Sequence, residues 1–425
     1  MIATRIFGRL LGATASAALL LSLLAAPASA TSSARWVDDD LTAGDGPDQC
    51  DTASYTGIQL AIDESSAGDW VYVCPGIYLE ELVIPAGVKV RARPLLGAEI
   101  QGPAAGTGNL IELTGDNAQL RGFSIKVFTN SAPATLGPSF EVCAHYDTAV
   151  LVRGSNDYVR NNRIIASGDD TLSGACGFDY GIVVGQHADS ATASVTFNWV
   201  TDFKIGGILV EDADSYAYVR RNTLRFFHEH ECNAVSFTSC AITVRPSVNG
   251  GFFGTFGIGV ESGARADIIR NAISSGPNAC STGPSYSCSL TATPTMNDGI
   301  SLLGLNGSET TDIHDNVVRR TLGGIVTRAD ADGAVIYDNW VYAAHYGYQV
   351  SGDNDEWHDN HTSGNDYGIS VTGSGNNIHD NDFRGNLGTD CYDGTSGSGT
   401  ADTANTWTDN LGNLQVPEGI CTPDA

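Results

Sequence analysis

Short runs of alternating apolar and polar residues recur along the chain from about residue 150 to residue 384. Apolar residues two positions apart are typical of β-strands, because successive side chains of a strand point to opposite faces. An amphipathic helix needs apolar residues three and four positions apart, and that pattern is confined to one segment near the N-terminus. The pattern therefore predicts a chain of short strands with very little helix.

Two sequence markers divide this region into repeated units. A glycine followed by an apolar or aromatic residue opens the units at Gly181, Gly207, Gly257, Gly299, Gly324, Gly347 and Gly368. An asparagine recurs at Asn162, Asn198, Asn222, Asn271, Asn316, Asn339, Asn360 and Asn381, and the last four follow one another after 23, 21 and 21 residues. Units of this length that hold two or three short strands are the turns of a solenoid, about 4.8 Å apart.

The repeated asparagine has a structural interpretation. We expect it at a tight corner in a left-handed backbone conformation, with its amide hydrogen-bonded to the turns above and below. His314, His358 and His379 each stand two positions before one of these asparagines. They are therefore interpreted as part of the repeat rather than as catalytic groups.

The first segment breaks the repeat. Residues 55–63 have helical apolar spacing, and residues 68–81 then form a predicted strand, a Pro-Gly turn and a second strand. The motifs are Ile58-Gln59-Leu60-Ala61-Ile62 and Gly68-Asp69-Trp70-Val71-Tyr72-Val73-Cys74-Pro75-Gly76-Ile77-Tyr78-Leu79-Glu80. They resemble the N-terminal cap of right-handed parallel β-helix proteins, the pectate-lyase-like superfamily.

This resemblance, together with the repeat, implies an all-β fold: a single-stranded right-handed parallel β-helix with a short N-terminal capping helix. We expect the cap over about residues 50–82, the rungs over about 83–384 and a C-terminal cap over about 385–425. The superfamily contains polysaccharide lyases, epimerases, esterases, hydrolases, phage tailspikes and non-enzymatic surface proteins. The fold alone therefore does not decide the function.

The N-terminus predicts export. Arg5 and Arg9 precede an apolar run over residues 10–24, and Ala28-Ser29-Ala30 forms a small-residue cleavage site. Residues 1–30 are thus predicted to be a signal peptide, with one β-helix domain over 31–425. The apolar run is shorter than a membrane span requires, so we expect a secreted, extracellular protein without membrane insertion.

The charge balance excludes one class of partner. The chain has a formal charge of -27, and only 22 of its residues are Lys or Arg against 49 Asp and Glu. Binding of nucleic acid needs a basic surface to neutralise phosphates, so nucleic acid is not expected as a partner. The sequence does not indicate an oligomeric state.

Ten cysteines in an exported chain predict a disulfide framework rather than a metal site. Proximity in the sequence suggests the pairs Cys50–Cys74, Cys143–Cys176, Cys232–Cys240, Cys280–Cys288 and Cys391–Cys421.

Four insertions lengthen the units at one place, after the strand that follows the asparagine: residues 128–147, 167–180, 226–256 and 274–298. Insertions on one face of a solenoid usually mark its binding side. The unit between the second and third insertions has none, and it carries Asp202 and Lys204. We expect these two residues on the floor of a groove, where Lys204 acts as a general base or as a charge clamp on a sugar acid. The alternative is a solvated surface lysine.

The insertions supply further catalytic candidates: His145, Tyr146, Asp169, Asp170, His228, Glu229 and His230. The pair Asp169-Asp170 follows a glycine and is similar to the Gly-Asp-Asp of polygalacturonase-type hydrolases, but the other motifs of that family are missing here. In an extended loop His228 and His230 point to one side, which suits a metal or an acid–base role, although no third ligand is identifiable. The metal is therefore unknown, no cofactor is certain, and Ca²⁺ is the candidate ion because Asp and Asn oxygens are abundant.

Aromatic residues favour a carbohydrate as the ligand. Trp199, Arg225 and Phe227 are candidate substrate-binding residues, because flat rings in a groove stack on sugars. Aromatic side chains on the flank of a solenoid are the alternative interpretation. Two hypotheses stay open: a protein directed at extracellular polysaccharide, either a lyase or epimerase or a glycoside hydrolase, or a non-catalytic carbohydrate-binding or cell-surface structural protein.

Overall fold

Three long sheets run through the chain, and every ladder between their strands is parallel. The computed structural model describes residues 32–41, 49–127, 144–165, 177–186, 189–226, 255–275, 296–306 and 310–423. Each turn of the chain contributes one strand to sheet A, then one to sheet B, then one to sheet C, and the next turn stacks on it. The fold is a right-handed parallel β-helix, which confirms the prediction from the repeat.

The strands are short, as the alternation predicts. Sheet A contains Ala34–Val37, Trp70–Val73, Lys89–Ala92, Gln119–Arg121, Asp157–Arg160, Thr192–Thr196, Tyr216–Arg220, Arg265–Ile269, Asp312–His314, Val335–Tyr337, Glu356–His358, Asn377–His379 and Thr406–Thr408. Sheet B contains Gly76–Leu79, Ala98–Gly102, Ser124–Val127, Arg163–Ile165, Trp199–Thr201, Thr223–Phe226, Ala272–Ser275, Val317–Arg319, Trp340–Tyr342 and His361–Ser363. Sheet C contains Leu82–Ile84, Asn109–Leu113, His145–Val152, Gly177–Val184, Gly206–Val210, Phe256–Glu261, Asp298–Leu303, Gly323–Thr327, Tyr346–Val350, Tyr367–Val371, Cys391–Asp393 and Gln415–Val416. Leu305–Asn306 pairs with Ala331–Asp332 in a separate two-stranded ladder.

The glycine marker is explained by close approach of neighbouring turns. Gly207 precedes Ile208, a fully buried core residue of sheet C. A Cβ on Gly207 would lie 2.7 Å from the carbonyl oxygen of Gly257 in the next turn and 2.4 Å from Cδ2 of Leu224. Glycine therefore opens the unit because only a residue without a side chain fits between the stacked backbones.

The asparagine ladder is present, but its backbone conformation differs from our expectation. The backbone N–H of Asn339 donates to Oδ1 of Asn360 (3.1 Å), and its Nδ2 donates to the carbonyl oxygen of Ile313 (2.8 Å). The left-handed residue is the preceding one, Asp338, at a φ of 52°. The prediction that the asparagine itself is left-handed was wrong: the residue before it makes the corner, which leaves the asparagine free to point inward.

The histidines of the repeat form a stack on the outer face of sheet A. The ring centroids of His314 and Tyr337 lie 4.6 Å apart, those of Tyr337 and His358 lie 5.0 Å apart, and those of His358 and His379 lie 5.1 Å apart. Nδ1 of each histidine lies about 3 Å from the aspartate that follows it. This geometry supports the structural interpretation of the three histidines.

A short helix, Ile58–Asp63, covers the N-terminal end of the core with Ile58, Ala61 and Ile62. The carboxylate of Glu80 accepts the free N–H groups of Ile58 and Gln59, both at 2.8 Å, at the start of this helix. Glu80, the last residue of the cap motif, therefore accepts hydrogen bonds from the helix that the first residues of the same motif form. The described residues also contain the short 3-10 helices Cys50–Thr52 and Thr400–Asp402.

Two of the five predicted disulfides are present, Cys50–Cys74 in the N-terminal cap and Cys391–Cys421 near the C-terminus. The other six cysteines lie outside the described residues. The asparagine ladder also extends into the C-terminal cap predicted over 385–425, because Asn381 donates its backbone N–H to Oδ1 of Asn410 (3.1 Å). In the described part of the chain, no helix is long and apolar enough to cross a membrane.

Candidate functional site

All four predicted insertions connect a strand of sheet B to the next strand of sheet C. They therefore share one corner of the solenoid, as the sequence predicts. Most of their residues are outside the described ranges, including Asp169, Asp170, Phe227, His228, Glu229 and His230. The roles assigned to these six residues stay predictions.

The turn without an insertion joins Trp199–Thr201 directly to Gly206–Val210. Its Phe203 is buried and packs on Phe226 of the next turn, with ring centroids 5.7 Å apart. The backbone N–H of Ile205 donates to the carbonyl oxygen of Asp179 (2.9 Å). These contacts fix the backbone on both sides of Lys204.

Lys204 lies against His145, a residue from two turns earlier. Its Nζ is 3.1 Å from Nδ1 of His145. On the other side of the ring, Nε2 of His145 is 3.5 Å from Oδ1 of Asp179, a carboxylate whose side chain is only 9% exposed. Lysine, imidazole and carboxylate thus form a line at the corner between sheets B and C.

The register of sheet C explains how a lysine crosses a whole turn. His145 pairs with Gly177, which lies in the turn between His145 and Lys204. Gly177 has no side chain, so the intervening turn places none between Lys204 and the imidazole at this pairing position. The sequence analysis placed His145 in an insertion. In the structure it is the first residue of the strand His145–Val152 and therefore lies on sheet C.

The arrangement determines the proton positions. An ammonium group has only donors, so with Lys204 charged Nδ1 of His145 is the acceptor and Nε2 carries the proton that faces Asp179. Burial lowers the pKa of Lys204, and the negative charge of Asp179 partly opposes that shift. A lysine whose pKa is lowered by burial is a candidate general base.

Asp147 completes the group. Ligand atoms of His145, Asp147 and Asp179 all lie within 4.8 Å of one another, a spacing that would suit a divalent cation. When Lys204 is protonated, its ammonium lies 3.1 Å from His145 and competes with a cation for this position. We therefore interpret the four residues as an acid–base group.

The other described candidates lie elsewhere. Tyr146 points to the opposite side of its strand from His145, into the core, where its hydroxyl donates to Glu81 (3.0 Å). Burial raises the pKa of Tyr146, so this hydroxyl stays protonated. Asp202 forms the corner of the turn at a φ of 60°.

Trp199 lies on the outer face of sheet B and is 42% exposed. The guanidinium groups of Arg163 and Arg225 lie 5.4 and 5.5 Å from its ring centroid. The ring and the two cations form a stacked group beside the turn of Lys204, a composition that suits a sugar ring or a sugar carboxylate.

Sequence reasoning missed Asp179, although the repeat contains a signal for it. Asp147 and Asp179 each stand two positions before the small residue that opens the inward part of their strand, Ala149 and Gly181. Aligning the units on that residue places both carboxylates at the same corner as Ile205, next to Lys204.

The family comparison covers only part of the chain. A family model described as "NosD: Periplasmic copper-binding protein (NosD)" matches residues 247–415, which is less than half of the chain. Among the described residues of that range, no three His, Cys, Asp or Glu side chains bring ligand atoms together, and the group around Lys204 lies outside it.

No curated protein matches the chain. Among solved structures, it is similar to the pectate lyase Pel9A, with 13% identity, a TM-score of 0.49, and coverage of 81% of this chain and 78% of that chain. The polygalacturonase from Erwinia carotovora ssp. carotovora has 9% identity and a TM-score of 0.48, with 93% and 98% covered. A PL6 alginate lyase in complex with a trisaccharide has 13% identity and a TM-score of 0.44, with 92% and 87% covered. At these levels of similarity, the chemistry of the chain has to come from its own residues.

Proposed function

We propose that this β-helix acts outside the cytoplasm on an acidic polysaccharide, as a lyase or epimerase that removes the C5 proton of a uronate. The observation that carries the proposal is the contact of Lys204 with His145, which in turn faces Asp179. The two disulfides suit an oxidising compartment.

In the proposed reaction, neutral Lys204 accepts the C5 proton with the carbon–hydrogen electron pair left on the sugar. In a lyase, that pair forms the C4–C5 double bond, the C4–O bond breaks, and the leaving oxygen takes a proton from water or from the imidazolium form of His145. In an epimerase, a proton returns to C5 from the opposite face. Asp179 orients the imidazole of His145.

The alternative is a carbohydrate-binding protein without turnover. The exposed ring of Trp199 between Arg163 and Arg225 favours it as the second candidate, since stacking and charge alone are sufficient for binding. It predicts the same ligand class with no change in the polymer.

The experiment is incubation of the protein with polygalacturonate, alginate and neutral glucans, with and without Ca²⁺. Calcium is included because a protein of charge -27 repels an anionic polymer, and a bridging cation relieves that repulsion. A lyase yields ultraviolet-absorbing unsaturated ends, a hydrolase yields reducing ends without them, and an epimerase changes the uronate composition. Intact acidic polymers under all conditions would refute catalysis and leave the binding protein.

A further inference from the structure

The outer face of sheet A carries a dense group of cations. Its six strands from Trp70–Val73 to Tyr216–Arg220 have no Asp or Glu among their outward-facing residues. We call the cations on and beside them the basic strip: Lys89, Arg91, Arg93, Arg121, Arg160, Arg220 and Arg221. They are seven of the 22 lysines and arginines of a chain with 49 acidic residues, so the strip departs strongly from the charge of the rest.

Three arginines of the strip are direct neighbours in the ladder. Arg91 pairs with Arg121, and Arg121 pairs with Arg160. Like charges directly opposite each other destabilise a sheet. The pKa values of Arg91 and Arg121 are lowered by burial and by the neighbouring arginines, which shows the same repulsion.

The acidic residues in the described part of the chain do not neutralise the charges of these three arginines. No carboxylate of the described residues forms an ion pair with Arg91, Arg121 or Arg160. The buried Nε atoms of four arginines, Arg91, Arg93, Arg121 and Arg220, have no hydrogen-bond partner among the described groups. The four side chains as a whole are only half-buried, so their guanidinium groups still face the outer surface.

Aromatic rings accompany the cations. Arg93 lies 5.1 Å from the ring centroid of Tyr72, and Lys89 lies 5.2 Å from that of Trp70. Phe197, which is 40% exposed, lies 5.2 Å from Arg160 and 5.4 Å from Arg221. The strip thus alternates guanidinium groups with flat apolar faces.

We infer that the basic strip is a binding surface for a linear anionic polysaccharide that lies along the solenoid axis. Turns about 4.8 Å apart place the guanidinium groups from Arg91 to Arg220 along a line of roughly 19 Å. A line of charges fits an extended polymer with an anionic group on its repeating sugars better than it fits a compact anion. Arginine binds carboxylate and sulfate oxygens through paired donors, and the rings offer faces for sugars.

The rest of the surface argues against nucleic acid on this strip. A duplex carries one charge per about 1.7 Å and would extend over the acidic surroundings of a chain with a charge of -27. A single polymer of lower charge density can follow the strip alone. The strip lies on sheet A, away from the corner between sheets B and C that holds Lys204, so this inference goes beyond the proposed catalysis and does not depend on it.

The test compares two triple variants by binding to immobilised polygalacturonate, alginate and dextran sulfate. One variant is Arg91→Gln, Arg121→Gln and Arg160→Gln in the strip. The control is Arg270→Gln, Arg320→Gln and Arg384→Gln, which removes the same charge elsewhere. We expect the wild type to bind, the control to bind equally, and the strip variant to lose at least about tenfold in affinity, with wild-type binding weakening as salt rises.

A Lys204→Met variant separates this inference from catalysis, because it should retain full binding to the strip. The thermal stability of Arg121→Gln is the second readout. We expect it to equal or exceed that of the wild type, since a repelled charge is removed, whereas a structural role would lower it. Absent binding of all three polymers, equal affinity of the strip variant, or tighter binding of duplex DNA than of the polysaccharides would each overturn the inference.

Discussion

Nζ of Lys204 lies 3.1 Å from Nδ1 of His145, a residue 59 positions earlier in the chain. The contact joins two turns of the solenoid across the turn that carries Gly177, the pairing partner of His145 in sheet C. The fold thus brings a base, an imidazole and a buried carboxylate to the one corner where all four insertions emerge.

The Asp179→Asn variant should shift the pH dependence of turnover. Asp179 raises the pKa of Lys204, so its removal lowers that pKa further. Because the base must be neutral, the acidic limb of kcat/KM then moves to lower pH. The control is Asp189→Asn, an exposed carboxylate paired with Arg153. An acidic limb at the wild-type position in Asp179→Asn would rule out this electrostatic coupling.

The Asn339→Ala variant should lose about 2–4 kcal/mol of unfolding free energy. Buried Asn339 bonds to the turns on both sides, and truncation leaves the backbone N–H of Asn316 and the carbonyl oxygen of Ile313 without partners. The matched control is His358→Ala in the half-buried ring stack on the outer face of sheet A, for which we expect a loss of less than about 1 kcal/mol. Chemical denaturation measures the unfolding free energy of both variants. Similar losses in the two would contradict the conclusion that the asparagine ladder is the main polar support of the fold.

The protein should become more stable as the pH falls from 8 to 5.5. Burial raises the pKa of Glu211 to about 8 and that of Glu261 to about 7, from an ordinary value of 4.5. At pH values between 4.5 and these raised pKa values, the folded chain holds protons that the unfolded chain has lost. Lower pH therefore stabilises the folded state, and this stabilisation is lost as the pH rises through the folded pKa. Thermal unfolding at both pH values measures the difference. Glu211→Gln should reduce the slope, and a wild type that is less stable at pH 5.5 would contradict the prediction.

The Gly207→Ala variant should cost about 1–3 kcal/mol, because the new methyl group overlaps the carbonyl oxygen of Gly257 and the side chain of Leu224. It also displaces the backbone two positions after Ile205 and therefore disturbs Lys204. Gly333→Ala is the control, since a Cβ there meets no atom within 4 Å and adds only the cost of a positive φ. Equal stability of Gly207→Ala and the wild type would mean that the turns can separate at this position.

The sequence predicted the fold well because the repeat records it directly. The glycine and asparagine markers correspond to two places in each turn where only one kind of side chain fits, so they recur in register. The left-handed corner was placed one residue too late, because the Asp-Asn pairs contain two residues that both favour turns. Asp338 makes the corner, and Asn339 makes the ladder.

The site was predicted only in part. Lys204 and His145 were both candidates, but nothing in the spacing of one unit shows that a lysine reaches across two turns. Asp179 lies inside the predicted insertion 167–180 but was not among the candidates, and the structure places it in the strand Gly177–Val184. The basic strip was missed because its arginines are 30 and 39 residues apart in the chain (121-91 and 160-121), and overall composition reports only the excess of acid.

The most direct test of the proposed chemistry is the rate at which wild type and Lys204→Met form unsaturated uronate ends from an acidic polysaccharide. Methionine has a similar shape and no base, so the fold and substrate binding should persist while proton abstraction is lost. We predict a fall in kcat of at least about 100-fold with little change in KM. A variant that keeps its wild-type kcat would contradict the assignment of Lys204 as the base.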